Sequence, residues 1–82
     1  MQIIKGKIDY SEHVNKYDDD GIEYKLYTIT IDKKKYTSKL PKGLYLVNDV
    51  DIIAGINPEN PSEIIAGYCP VNKINWGKNT RS

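Results

Sequence analysis

The 82-residue sequence is short of three informative residue types, since it has one cysteine, one arginine and no phenylalanine. The single cysteine, Cys69, excludes an internal disulfide, so the hydrophobic core alone must stabilise the fold. No apolar run approaches the ~20 residues of a membrane helix. The N-terminus also lacks the apolar core of a signal peptide. We therefore expect a single small domain located in the cytoplasm, without membrane association.

The basic residues are almost all lysines, and the net charge is +1. Arginine is the preferred residue for bidentate recognition of bases and phosphates, and here only Arg81, close to the C-terminus, could serve. Lysines supply general electrostatic attraction with little sequence readout. The nearly balanced charge predicts neither strong attraction to nucleic acid nor a repulsive acidic surface.

The part of the sequence with the clearest pattern is a predicted β-hairpin from Glu23 to Leu40. β-Branched and aromatic residues fill both arms, and the charged run Asp-Lys-Lys-Lys at 32–35 separates them. The apolar residues of the first arm change face between Leu26 and Tyr27. This change predicts either a strand covered on both faces or a β-bulge at that point.

Further strands are expected before and after the hairpin. Gly6 in the first strand predicts a bulge, a sharp bend or a close approach of another backbone segment. Leu44–Asn48 is compatible with either a strand or one helical turn. The expected elements in chain order are strand one at Gln2–Tyr10, a long hairpin loop, mobile at its tip, at Ser11–Gly21, strand two at Ile22–Ile31, strand three at Lys35–Leu40, a turn at Leu40–Gly43, strand four at Val50–Ile56, a proline turn at Asn57–Ser62, and strand five at Glu63–Cys69, ended by Pro70.

Five short strands without a long helix predict an all-β fold, a small five-stranded, partly open barrel that is OB-like or SH3-like. The barrel is expected to span residues 1–70. Residues 71–82 are expected to form a C-terminal tail that packs on the barrel through Trp76 and is otherwise flexible.

Two stretches carry a resemblance to known proteins. They are the tyrosine-rich run from Tyr24 to Tyr36 and the turn Asn57-Pro58-Glu59-Asn60-Pro61 before the last strand. Together with Lys42-Gly43, they resemble bacterial small β-barrel domains of unknown function. The resemblance covers residues 22–68 and depends on turn chemistry. It implies a barrel fold and no particular activity.

The sequence contains no motif that supports catalysis or metal binding. The run from Asp18 to Gly21 suggests calcium, but aligning Gly21 with the sixth position of an EF-hand puts Lys16 first and Tyr27 twelfth, where oxygen ligands are required. His13 and Cys69 are the only imidazole and thiol, and no motif places a base beside a nucleophile. We therefore expect no enzymatic activity, no metal and no cofactor.

The best binding candidates are lysines interleaved with aromatic residues on and near the hairpin, because barrels that bind single strands stack bases on aromatics and follow the backbone with cations. The same lysines could instead protect an exposed edge from unwanted strand pairing. The candidates are Lys25, Tyr27, Lys33, Lys34, Lys35, Tyr36, Lys39, Tyr45 and Trp76, with Lys42, Lys73 and Lys78 as extensions of the same surface.

The expected function is a protein-interaction domain that acts as an adaptor or an inhibitor of a larger protein. Balanced charge and many tyrosines favour a protein partner, and an edge strand offers β-augmentation or self-association. The alternative is single-stranded nucleic acid bound by the Lys/Tyr-rich hairpin face.

Overall fold

The computed structural model describes residues 2–77 and confirms the central hairpin. Its turn consists of Asp32 and Lys33 alone, and both have positive φ (52° and 67°), as in the type I′ turns that suit the twist of two-residue hairpins. Lys34, expected in the turn, therefore belongs to the second strand of the hairpin, which begins one residue before the expected Lys35. The strands are β1 Gln2–Tyr17, β2 Glu23–Ile31, β3 Lys34–Pro41, β4 Asp51–Asn57, β5 Asn60–Cys69 and β6 Ile74–Gly77.

Five of the strands form the expected all-β barrel, which is closed where a partly open barrel was expected. Their order around the barrel is β1-β2-β3-β5-β4, with β4 returning to β1. All neighbours are antiparallel except β3 and β5, which close the barrel through two parallel pairs, Thr37 with Glu63 and Ser38 with Ile64. The sixth strand, β6, adds to the free side of β5. Residues 2–77 include no helix of the length and hydrophobicity needed to span a membrane.

Strand β1 serves two neighbours in succession. Residues Gln2–Lys7 pair with β4, and Ile8–Tyr17 pair with β2. The register shifts by one residue between Ile8 and Tyr10, which is a β-bulge at the point of exchange. Just before the bulge, a Cβ on Gly6 would collide with the side chain of Ile31, so the close approach at Gly6 is made by a side chain and not by a backbone segment.

The expected loop at Ser11–Gly21 is wrong, because Ser11–Tyr17 continues β1. These residues pair one for one with β2, down to Tyr17 opposite Glu23. Only the tip turns, where the Asp18 Oδ1 accepts hydrogen bonds from the N–H groups of Asp20 and Ile22, both at 2.9 Å. The polar composition misled the sequence interpretation, because the backbone of a strand can pair with its neighbour even where its own side chains remain exposed.

Strand β2 runs through the whole hairpin without a bulge. Its inward residues alternate regularly, and the first of them is a lysine, Lys25, which is only 5% exposed. The apparent change of face is therefore explained by a lysine that takes an inward position, and by partial cover over the other face at Tyr24 and Leu26. The inward residues are Lys25, Tyr27, Ile29 and Ile31.

The core is built from isoleucines of four strands and is completed by Trp76. The Trp76 Nε1 donates to the Ser38 Oγ at 2.9 Å, and the Ser38 hydroxyl donates to the Ile64 carbonyl at 3.0 Å. This buried chain of hydrogen bonds joins β6, β3 and β5. The expected packing of Trp76 on the barrel is confirmed, although β6 itself was not expected. Of the expected flexible tail, residues 71–73 form an exposed turn before β6, and residues 78–82, with Lys78, lie outside the described residues.

The connections between strands differ in part from the expectation. Residues 44–47 form neither a strand nor a helical turn, although Leu44 and Leu46 pack against the core. The turn after β4 is limited to Pro58 and Glu59, and Pro61 lies within β5, so the second proline does not stop that strand.

Candidate interaction surface

The structure divides the nine candidate binding residues between surface and interior. Five are exposed, one is half-buried and three are buried, so the buried three contribute little surface to a partner. Trp76 is 5% exposed and cannot stack on a base. The exposed residues are Lys33, Lys34, Lys35, Lys39 and Tyr45, the half-buried residue is Tyr36, and the buried residues are Lys25, Tyr27 and Trp76.

The exposed candidates also lie in two separate places. Lys33 marks the turn at one end of the hairpin, whereas Tyr45 lies beside Lys25, whose Nζ is 4.3 Å from the centre of the Tyr45 ring. Lys25 lies near the start of β2 and Lys33 lies in the turn beyond its end, and the strand from Lys25 to Ile31 alone spans roughly 20 Å. The continuous lysine–aromatic face expected from the sequence is therefore not formed by these residues.

Tyr45 belongs to a structural cluster at the far end of β2. The His13 ring lies 4.8 Å from that of Tyr27 and 6.2 Å from that of Tyr45. The Tyr27 hydroxyl accepts a hydrogen bond from the Leu46 N–H at 3.1 Å. These contacts hold the segment after β3 against β1 and β2, and they account for the burial of Lys25 and Tyr27.

No catalytic or metal-binding arrangement is found in the part of the chain that the structure describes. His13 faces aromatic rings, and Cys69 is a core residue that is 3% exposed. The Asp18 carboxylate is already used by the turn that ends β1. Within residues 2–77 no three His, Cys, Asp or Glu side chains are grouped in a way that could hold a metal ion.

The second half of β1 has an unpaired side, which we call the open edge. The Asp18 N–H donates to the Ile22 carbonyl, so the backbone of Asp18 faces β2. Since antiparallel partners alternate, the backbones of Lys16, Val14 and Glu12 also face β2. The N–H and C=O groups that point away from β2 belong to Ser11, His13, Asn15 and Tyr17.

No strand within residues 2–77 pairs with this open edge. Cover begins only near Ser11, whose Oγ donates to the Asn48 Oδ1 at 3.0 Å. From Glu12 to Tyr17 every residue is exposed, including Val14 at 55% and Tyr17 at 67%. An unprotected edge of this length is a template for pairing with another chain.

Sequence reasoning missed the open edge because it assigned these residues to a loop. One signal could have located it. The turn pair Asp20-Gly21 is flanked by Tyr17 and Ile22, a pattern that marks the end of a hairpin whose first arm extends back through Val14.

A second surface, the outer face, lies on the side of β1–β3 away from the core. Val14 of β1 stands opposite Leu26 of β2, and the Lys39 Nζ lies 5.4 Å from the centre of the Tyr24 ring. The face combines aromatic, hydroxyl and lysine side chains. Its residues are Tyr10, Glu12, Val14 and Lys16 of β1, Tyr24, Leu26, Thr28 and Thr30 of β2, and Lys35, Thr37 and Lys39 of β3.

Comparison of the chain with protein-family models, with curated proteins and with solved structures finds no match in any of the three.

Proposed function

We propose that the protein is a non-enzymatic protein-interaction module, an adaptor or inhibitor of a larger protein, that binds an extended segment of its partner at the open edge. The observation that carries this proposal is the row of backbone groups on Ser11, His13, Asn15 and Tyr17, which no strand within residues 2–77 occupies. An added strand would satisfy these groups, as in β-augmentation.

The side chains along the open edge give the added strand a preferred composition. Glu12 and Lys16 lie on the same face, on either side of Val14. A partner segment with an apolar residue opposite Val14 and opposite charges on either side would match this pattern, since cross-strand pairs stabilise sheets by side-chain contact.

Proline at position 15 tests the proposal directly. Asn15 is exposed, and its N–H points to the open edge, so Asn15→Pro removes an edge donor but no hydrogen bond between β1 and β2. Cross-linking followed by affinity capture from cells that make the protein should recover a partner with the wild-type chain. Asn15→Ala, the matched control, should keep that partner because its N–H remains, and Asn15→Pro should lose it.

The circular dichroism spectrum and the urea midpoint should show that both variants fold. If a folded Asn15→Pro variant captures the partner as well as Asn15→Ala does, the partner binds elsewhere and the proposal fails.

The second candidate is binding of single-stranded nucleic acid on the outer face. The observation that favours it is the grouping of Lys16, Lys35 and Lys39 with Tyr10 and Tyr24 on that face. The strand order supports assignment to the OB-fold, the Greek-key barrel whose β2–β3 face binds oligonucleotides.

Labelled single-stranded DNA and RNA at low and moderate salt would test this candidate. Steep weakening with salt, and further weakening in a Lys35→Ser/Lys39→Ser variant, would support it. Absence of binding at low salt would eliminate it. Because Trp76 is buried, the label must report binding in place of tryptophan fluorescence.

A further inference from the structure

We propose that the open edge pairs with the same edge of a second copy, as antiparallel strands centred on Val14, so that the chain forms a two-fold symmetric dimer. The inference rests on the proposed function, because it places a particular partner at the same backbone groups. It also predicts one register, and the register follows from the side chains along the edge.

Symmetry restricts the possible registers. In a two-fold dimer, if residue i of one copy lies opposite residue j of the other, then residue j of the first copy lies opposite residue i of the second. In a continuous sheet, residues that lie opposite each other have their side chains on the same face, so an outer-face residue must lie opposite another outer-face residue. The axis must then pass beside one residue of the open edge. The candidates within the exposed part of the edge are Glu12, His13, Val14 and Asn15.

Charge separates these four registers. An axis at Glu12 places two copies of Glu12 opposite each other, and an axis at Asn15 places Glu12 opposite Asp18. An axis at His13 places Glu12 opposite Val14. Only an axis at Val14 places Glu12 of each copy opposite Lys16 of the other, and like charges directly opposite are destabilising whereas opposite charges stabilise.

The backbone agrees with the Val14 register. His13 and Asn15 both direct their N–H and C=O groups to the open edge. They would meet as two symmetry-related hydrogen-bonded pairs, each exchanging both N–H···O bonds. Val14 would meet Val14, and Glu12 would meet Lys16, at the closer non-hydrogen-bonded positions, where side chains touch most closely.

The surroundings of the edge fit the same arrangement. Val14 is opposite Leu26 within the chain, so an apolar strip of Leu26, Val14, Val14 and Leu26 would cross the dimer. In residues 2–77 neither Glu12 nor Lys16 forms an ion pair, and the Glu12 Oε1 accepts a long hydrogen bond of 3.4 Å from the Tyr10 hydroxyl, so both charges remain available for pairing. The Asn48 contact limits the pairing to residues beyond Ser11, which leaves a strand of ordinary length.

Self-pairing would also regulate the proposed function. A dimer occupies the same backbone groups that a partner segment needs, so binding of the partner requires dissociation of the dimer. The apparent affinity for the partner should therefore fall as the concentration of the protein rises.

Charge reversal at Glu12 and Lys16 tests the register. Glu12→Lys and Lys16→Glu should each place like charges opposite each other and raise the dimer dissociation constant about tenfold or more. An equimolar mixture of the two variants should restore association. In the mixed dimer, the lysine introduced at 12 meets the glutamate introduced at 16, and the native Lys16 of one copy meets the native Glu12 of the other.

Sedimentation velocity from micromolar to millimolar protein would measure these constants, with circular dichroism to show that each variant folds. A wild-type chain that is monomeric at millimolar concentration overturns the dimer. A wild-type dimer that either variant leaves unchanged, or that the mixture fails to restore, overturns the Val14 register.

The test also separates this inference from the proposed function. Asn15→Pro removes an edge donor that any added strand would use, whereas the charge variants act on the self-paired register. A monomeric wild-type chain whose partner is lost in Asn15→Pro leaves the proposed function standing and ends the dimer. If the wild-type chain forms the dimer and the charge variants behave as expected, but Asn15→Pro still captures the partner, the dimer stands and the proposed function fails.

Discussion

The two halves of β1 show how one strand can be protected in one part and open to pairing in another. The first half, Gln2–Lys7, pairs with β4, and the second, Tyr10–Tyr17, pairs with β2, so each half has one side without a strand in the described chain. On the β4 side, the Ile8 N–H donates to the Val50 carbonyl, and the Ile8 carbonyl accepts from the Asp49 N–H. By alternation, the groups on the unpaired side of the first half belong to Ile3, Lys5 and Lys7.

Side chains make the difference between the two unpaired sides. Two of the three residues that present free backbone in the first half are lysines, which oppose the approach of a second strand. In the second half the corresponding residues are Ser11, His13, Asn15 and Tyr17, none of which is a lysine. Glu12 and Lys16 of one copy are complementary in charge to Lys16 and Glu12 of a second copy in an antiparallel pair. Strand geometry alone therefore does not decide where another chain can add.

The largest effect should come from filling the close approach in the first half. Gly6→Val places a branched side chain where the Ile31 side chain already lies, within the buried part of the barrel. Overpacking of this kind costs typically about 1–3 kcal/mol. Urea unfolding should show a lower midpoint with an unchanged slope.

The matched substitution in the second half is Asn15→Val, at an exposed position of the same strand. It should change the free energy of unfolding by no more than about 0.5 kcal/mol. Equal destabilisation by the two valines would show that the two halves are packed alike, and the proposed difference in packing between them would be wrong.

An intermediate effect should follow from removing the lysines that protect the first half. In Lys5→Thr/Lys7→Thr the unpaired backbone remains and the two charges are lost, so with the open edge blocked by Asn15→Pro the variant should associate at concentrations where Asn15→Pro alone does not. Light scattering would be measured against concentration for Asn15→Pro and for Asn15→Pro combined with Lys5→Thr/Lys7→Thr. Because Asn15→Pro blocks the open edge in both proteins, any difference in association would come from the two lysines of the first half.

The control for this variant is Lys33→Asn/Lys34→Thr, which removes the same charge from the β2–β3 turn and the first residue of β3, with Asn at position 33 because Lys33 has a positive φ. If both double variants associate equally, reduced net charge is responsible and the lysines of the first half have no special protective role.

The sequence predicted those parts of the fold that depend on local patterns. The hairpin from Glu23 to Leu40 has strand-forming residues on both arms, and its pairing is local, so its position was correct. Trp76 was expected on the barrel because a lone large aromatic in a polar segment needs cover. The four-residue β6 around it was missed, because nothing in so short a segment distinguishes a strand from a turn.

The candidate site was harder to predict, because it depends on what long-range pairing leaves exposed. Lys25 carries the charge of a surface residue, yet its aliphatic stem lies inside and its Nζ contacts the Tyr45 ring. The second half of β1 has the composition of a loop and becomes a strand only because β2 continues beside it. Neither fact can be read from spacing along the chain, since each depends on a partner distant in sequence.

The smallest effect on global stability should come from loosening the tip that ends the second half. The Asp18 Oδ1 accepts from two N–H groups of the turn, at Asp20 and Ile22, and all three residues are exposed. Asp18→Ala should lower the free energy of unfolding by less than about 0.5 kcal/mol, because exposed substitutions rarely cost more. Asp19→Ala removes the same charge from a neighbouring exposed carboxylate that makes no hydrogen bond in the described chain, and it serves as the control.

The informative measurement is amide hydrogen exchange residue by residue. The N–H groups of Lys16 and Val14 bond β2, so fraying from the tip should accelerate their exchange in Asp18→Ala and leave Ile4 and Gly6, which bond β4, unchanged. Asp19→Ala should alter neither set. Uniform acceleration in both halves would mean that β1 opens as one unit, in which case its second half could not be ordered or released independently when another strand adds to the open edge.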